Sequence, residues 1–388
     1  MMKILHVAPL SPYNIGWSYQ DNLLPKYQRK LGHEVKVVVS TFENTPNGKK
    51  DVGEQDFLLD DGVHVYRRKR FLGNNFLGKL ISFTDISDIL DGYEPDFIMI
   101  HSLITLSVFQ AIKYKKKRNP NCVIIHDNHL DENIGKRKNW LFSELYYGYW
   151  ALVNQFSKKY ISKYYGVTPW RREFIVNRFK IDREKTDVLI MGADIDNIDF
   201  SKAEQLREKL DDQYGLRDQF VIVTGGKIEK NKKIAILMRA VAGLKDIKLL
   251  VFGTVADDYQ DEVNKSLNDN VIMLGWKNND AINRLFTAAD LAIFPGQHSV
   301  LWEQACACKI PCIFAYWDGM DHLDNGGNSE FIRDLSEKGL RQCIVDHHNT
   351  DKYKLMKAVA KSKATDTYSY YEIAKKSLET AQQQEVKG

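Results

Sequence analysis

The chain has 388 residues, 44% hydrophobic and 27% charged, with a formal net charge of +4 at pH 7. This is the composition of a folded globular protein, and the length exceeds the roughly 250–300 residues at which a single core stops growing, so two domains are expected. No stretch approaches the roughly 18 consecutive apolar residues of a membrane span, and the N-terminus reads as a first buried strand rather than a signal segment, which predicts a cytoplasmic protein.

In chain order, short apolar runs mark strands at Ile4–Ala8, Val35–Val39, Phe97–Ile100, Val123–Ile125 and Val188–Met191, with helix-length amphipathic segments between them. The second half repeats the style at Phe220–Val223, Leu249–Phe252, Val271–Met273, Leu291–Phe294 and Cys312–Phe314. Strands alternating with helices predict parallel sheets covered on both faces, and two such series predict an α/β protein of two Rossmann-like doubly wound domains facing a cleft. The expected divisions are 1–195, 196–365, and a last segment, 366–388, whose helix returns to the first domain.

The loop after the first strand carries Gly16, where a diphosphate or sugar could approach the backbone; an ordinary strand-to-helix turn is the equal alternative. His126 follows Val123–Ile125 and His101 follows Phe97–Ile100, both at carboxyl ends of strands, where an imidazole can bond sugar hydroxyls or serve structurally. After Phe220–Val223 the turn Gly225-Gly226-Lys227 leads to Lys232, and two ammonium groups around a turn can neutralise a diphosphate; a solvated lysine-rich surface is the equal alternative. The run Pro295-Gly296-Gln297-His298-Ser299-Val300-Leu301-Trp302-Glu303 leaves an apolar strand and enters a helix. Backbone N–H groups there favour an anion, and Glu303 suits ribose hydroxyls, so the two loops predict a nucleotide-diphosphate pocket.

Charge is uneven: residues 101–180 hold 15 Lys/Arg against 5 Asp/Glu. Lys113–Arg118 and 136–150 join these cations to Trp140, Phe142 and Trp150. That pairing suits an anionic membrane surface or single-stranded nucleic acid, or else a solvated basic face with the rings turned inward. Asp194-Ile195-Asp196 could hold a divalent metal, but Asp is also favoured in turns for local backbone bonding, and no metal site is expected. Five cysteines, three of them between Cys306 and Cys312, read as buried core thiols. Neither a G-x-G-x-x-G fingerprint nor a P-loop occurs, which argues against nicotinamide, flavin and P-loop enzymes.

Taken in order, the Gly16 loop, His126, Val188–Asp196, Gly226-Lys227 through Lys232, Leu274-Gly275-Trp276 and the helix bearing Glu303 resemble the retaining GT-B glycosyltransferases of the family-four type, which build bacterial surface polysaccharides and glycolipids. The resemblance covers nearly the whole chain. It implies Lys227 and Lys232 on the donor diphosphate, His126 near the transferred sugar, and Gly275-Trp276 on the base. It also implies His298, Ser299 and Val300 beside the donor, with Glu303 on its ribose. The first glutamate of the family's E-x7-E pair is replaced by Pro295, His298-Ser299 stands for a Gly-Leu pair, and Lys227 for an arginine. The expected activity is metal-independent hexosyl transfer, without a cofactor, from a nucleotide sugar, UDP-linked, to a saccharide or lipid-linked acceptor. The protein would work in the cytoplasm or peripherally at the inner membrane face, with no nucleic-acid partner. A nucleotide-sugar epimerase or phosphorylase of the same fold, and a nucleic-acid-binding protein, are the alternative readings.

Overall fold

The computed structural model describes residues 1–45, 48–73, 75–131 and 140–385. The strands, in chain order, are β1 (Lys3–Ala8), β2 (Glu34–Ser40), β3 (Phe42–Thr45), β4 (Gly48–Asp51), β5 (Gln55–Leu58), β6 (His64–Arg68), β7 (Phe97–His101), β8 (Val123–Asn128), β9 (Lys163–Gly166) and β10 (Thr186–Val188). They alternate with helices α1 (Gln20–Lys30), α2 (Phe76–Ile81), α3 (Ser87–Tyr93), α4 (Val108–Lys117), α5 (Trp140–Ser157) and α6 (Pro169–Phe179). Further on come α7 (Ala203–Tyr214), β11 (Phe220–Gly225), α8 (Ile234–Ala240), β12 (Ile247–Phe252), α9 (Gln260–Lys265), β13 (Val271–Gly275), α10 (Asn279–Ala288) and β14 (Leu291–Phe294). The chain ends with α11 (Leu301–Ala307), β15 (Cys312–Ala315), β16 (Ser329–Ile332), α12 (Glu337–His347), α13 (Asp351–Lys361) and α14 (Tyr370–Glu385).

These elements form two compact units, Met1–Met191 with Tyr370–Gly388, and Gly192–Ser369. The division falls four residues before the 195/196 boundary read from the sequence. In the first unit an eight-stranded sheet runs in the order β10-β9-β8-β7-β1-β2-β6-β5, parallel except where β5 pairs antiparallel with β6. Strand β1 shows why both faces must be covered. Leu5 and Val7 enter one core with Ile98, Ile100 and Trp150, while Ile4 enters another with Leu24, Tyr27, Ile373 and Leu378 of α1 and α14.

In the second unit six parallel strands run in the order β13-β12-β11-β14-β15-β16. Phe220, Ile222, Leu249 and Val251 pack with α8 and α12 on one face. Phe252, Phe286, Phe294, Phe314 and Trp302 interlock in ring contacts of 4.6–6.3 Å, which seat α11 against the sheet.

Some expectations shift. The strand read at Val188–Met191 is β10, which ends at Val188; Leu189 is buried but lies past it. All five cysteines are free and buried. Among the described residues, no helix is long and apolar enough to cross a membrane.

Candidate functional site

In the second unit, β11 and β14 are adjacent at the centre of the sheet, with β12 and β13 to one side and β15 and β16 to the other. The carboxyl ends of such a pair form a topological switch point, where open α/β sheets bind ligands. The Gly225-Gly226-Lys227 turn leaves one strand and the 295–300 loop leaves the other, so both predicted loops meet at that point.

They are joined by specific bonds. Gln297 N–H donates to the Asn231 carbonyl at 3.0 Å, and Asn231 Nδ2 donates to the Gln297 side chain at 2.8 Å. The Lys232 ammonium donates to the Gln297 and His298 carbonyls at 2.8 and 3.2 Å. The approach requires glycine at 296, where a Cβ would fall 2.4 Å from Lys232 Cα, and at 226, whose φ is +113°. Burial lowers the Lys232 pKa by disfavouring its charged form, and the same burial keeps solvent from competing for the ammonium. Lys227 lies at the rim, its side chain 74% exposed and paired with Glu229.

Glu303 is wholly buried at the start of α11. His298 Nε2 lies 2.9 and 3.1 Å from its two oxygens, and His322 Nε2 lies 3.2 Å from one of them. Burial by itself would raise this carboxyl; the His298 and His322 rings overcome it and hold the group down at about 2. The carboxylate assigned to a ribose is thus occupied in this structure by two imidazoles. His322 was not found from sequence: it follows β15 in a short 3-10 turn with no motif around it, and only the fold brings it to Glu303. Its Nδ1 is buried with no partner among the described residues. Ser299 and Val300 form the entry turn of α11, their carbonyls accepting from Trp302 and Gln304 N–H at 3.0 Å each.

Gly275, at φ +66°, ends β13, two strands from β11, and Trp276 beyond it is 72% exposed, an indole face free to stack. Gly253 N–H donates to the Gly275 carbonyl at 2.8 Å and fixes that turn. The Asp194 carbonyl accepts from Asn283 Nδ2 of α10 at 3.2 Å, a main-chain bond that ties this turn to a helix 89 positions away.

The first unit has its own rim at the carboxyl ends of β1, β7 and β8. Gly16 has φ +76°, and nothing lies within 4 Å of where its Cβ would stand. His126 lies within β8 and is buried, its Nδ1–H donating to the Ser102 carbonyl at 3.0 Å and its ring stacked on Tyr164. Burial lowers its pKa to about 4, so the ring is neutral, and Nε2 has no partner among the described residues. His101 carries the charge instead. Ser377 gives its hydroxyl proton to Ala374 and accepts from Gln28 Nε2, which leaves Gln28 Oε1 to accept from His6 Nε2 at 2.6 Å. His6 Nδ1 must then accept from His101 Nε2 at 2.8 Å, while His101 Nδ1 donates to Asp127 at 2.7 Å. Both nitrogens of His101 therefore hold protons. Although burial opposes that charge, Asp127 raises the His101 pKa. His101, Asp127 and His129 have donor atoms all within 4.8 Å of one another, the one metal-like grouping among the described residues.

The basic aromatic segment divides. Trp150 is fully buried and Phe142 packs on Phe76 at 5.7 Å, whereas Trp140 is 74% exposed. Lys136, Arg137 and Lys138 lie outside the described residues.

Residues 23–197 match the family model described as Glycosyltransferase Family 4, and residues 206–353 the one described as Glycosyl transferases group 1. The chain is 30% identical over 214 residues to the N-acetylgalactosamine-N,N'-diacetylbacillosaminyl-diphospho-undecaprenol 4-alpha-N-acetylgalactosaminyltransferase of Campylobacter jejuni, an alignment covering 50% of this chain and 53% of that protein. A glycosyltransferase structure from Rickettsia africae superposes with a TM-score of 0.69 at 18% identity, covering 99% of this chain and 98% of that one. The Anabaena protein Alr3699/HepE, solved with UDP and glucose, superposes with a TM-score of 0.63 at 17% identity, covering 99% and 100%.

Proposed function

The chain belongs to the glycosyl transferases group 1 family and has the GT-B fold, and from that premise we propose that it moves a hexosyl group from a nucleoside-diphosphate sugar to a saccharide or lipid-linked acceptor, with retention of anomeric configuration. The observation that carries this is the pair of joined loops at the β11/β14 switch point, with Lys232 half-buried between them and Lys227 at the rim. A departing diphosphate gains charge in the transition state, and a cation fixed beforehand in a poorly solvated site stabilises that charge without reorganisation. Two lysines in this role make a metal at the diphosphate unnecessary.

The second unit thus binds the donor, with Trp276 for the base and the Glu303 region for the ribose. The UDP and glucose of the Anabaena protein support a uridine donor, and the undecaprenol-linked acceptor of the Campylobacter relative supports a lipid-linked one in cytoplasmic surface-polysaccharide assembly. On the acceptor side we assign His126 a positioning role: neutral and bonded to Ser102, it orders the loop that follows His101. The nucleic-acid reading loses support because Trp150 and Tyr147, two of its stacking rings, are buried.

The test is incubation of the purified protein with a panel of nucleotide sugars, following nucleoside diphosphate release and the configuration of the released sugar. Slow hydrolysis of one donor with retention is expected. Absence of both turnover and calorimetric binding across the panel overturns the reading.

A further inference from the structure

Helix α5 buries Tyr147, Trp150 and Val153 in the core of the first unit. Its other side is also apolar: Leu141, Leu145, Tyr149, Leu152 and Phe156 are 58%, 67%, 37%, 60% and 72% exposed. At about 100° per residue these five fall within an arc of about 80°. The only charged residue of α5 is Glu144, and Arg178 holds its carboxylate at 2.6 and 2.8 Å. Phe76 and Leu77 of α2, each 55% exposed, extend the strip, since Phe76 meets the Phe142 ring of α5. A helix apolar all round belongs in a core or in lipid, and soluble surfaces rarely leave such a strip uncovered.

Cations flank the strip at both ends. Lys79 is exposed on α2, three residues on from Phe76 and so on its side of the helix. Just past α5 the Lys116 and Lys159 ammonium groups lie over the Tyr160 ring at 5.6 and 5.0 Å, with Lys117 and Arg118 exposed nearby. We propose that α5 lies in the plane of an anionic bilayer surface, its Leu145, Leu152 and Phe156 face among the acyl chains and the flanking lysines at the lipid phosphates. A second copy of the chain fits less well, because cations at both ends would meet cations in either orientation. Electrostatic attraction alone, the reading from sequence, leaves the leucines unexplained; insertion accounts for them.

The measurement is co-sedimentation of the full chain with phosphatidylcholine vesicles, with and without phosphatidylglycerol. Binding to anionic vesicles is expected, weakened but not abolished by high salt. The triple substitution Leu145→Ser, Leu152→Ser, Phe156→Ser, at exposed positions, lowers partitioning by about tenfold or more. Lys116→Glu with Lys159→Glu lowers it on anionic vesicles alone. If the triple variant melts early, single Leu145→Glu replaces it, with quenching of tryptophan fluorescence by brominated lipid, compared with that of Trp140→Phe, as the second readout. Unchanged partitioning of the variants, complete loss in salt, no binding to any vesicle, or a dimer that the triple substitution dissociates each overturns the proposal. Nucleotide-sugar hydrolysis in lipid-free buffer stays at wild-type rate in all these variants, so failure of the donor reading is seen separately.

Discussion

His298 Nε2 donates to Glu303 at 2.9 Å although no part of Glu303 reaches solvent. Because the carboxylate satisfies both His298 and His322, Glu303→Ala leaves two ring nitrogens without an acceptor. The variant is expected to lose about 1–3 kcal/mol of stability as well as affinity for the nucleoside diphosphate. Glu303→Gln separates the effects, keeping the shape while removing the charge. Since the folded pKa lies below the ordinary value of 4.5, at about 2, the contribution of Glu303 is complete above pH 4.5 and lost as pH falls toward 2. Wild type and Glu303→Gln should therefore converge in thermal stability across that acid range; parallel curves would contradict it.

Lys232→Ala and Lys227→Ala are expected to separate. The first removes a half-buried ammonium from two carbonyls and should lower kcat by about 10²–10³, the scale for losing one preorganised group at developing charge, with a modest fall in Tm. Lys227→Ala should lower kcat with Tm unchanged, because its ion pair is exposed. Steady-state kinetics beside thermal melts check both. A rise in KM alone for either variant would mean ground-state binding only.

Asp127→Asn is expected to destabilise the first unit by about 3–5 kcal/mol, the range for leaving one member of a buried ion pair without its partner. The His101 contribution is full below its ordinary pKa of 6.5 and fades as pH rises through the higher folded value. Asp127 is depressed, its charge favoured by His101 and His129 against burial, so its contribution is present above 3.8 and is lost only in stronger acid. The cost of the substitution should consequently be greatest between about pH 4 and 6.5 and shrink in alkali. Denaturant unfolding of wild type and variant at several pH values measures this.

EDTA is expected to leave donor hydrolysis unchanged. Loss of activity restored by manganese would identify a working metal. His101, Asp127 and His129, rather than Asp194 and Asp196, would then be the ligands to test by substitution.

The central strands were legible because uniformly apolar runs such as Phe220–Val223 can be buried on both faces only in a parallel sheet. Strands at the flanks were not: β9 reads Lys-Tyr-Tyr-Gly and β6 His-Val-Tyr-Arg-Arg, too short and polar to stand out until neighbours supply the ladder. The two loops of the candidate donor site were visible as glycine and lysine turns after strands. Their junction through Asn231, Gln297 and Lys232 was not, because residues 65 and 66 positions apart meet only once the strand order is fixed. In the same way the sequence shows that α5 is apolar, but only the packed core shows that Trp150 is buried and Leu145 is not.

Helix α14 carries Tyr370, Ile373, Ala374 and Leu378 into the core that holds Ile4 and Leu24, and Ser377 completes the bond chain through Gln28 to His6. Synthesis proceeds from the amino end, so the first unit to emerge from the ribosome is the last to be finished. Its α1 face stays open while all of Gly192–Ser369 is made, and that unit can close on itself beforehand. A nascent chain arrested before Tyr370 should yield a protease-resistant second unit and a first unit that is still cleaved, with protection arriving only when the final helix is added.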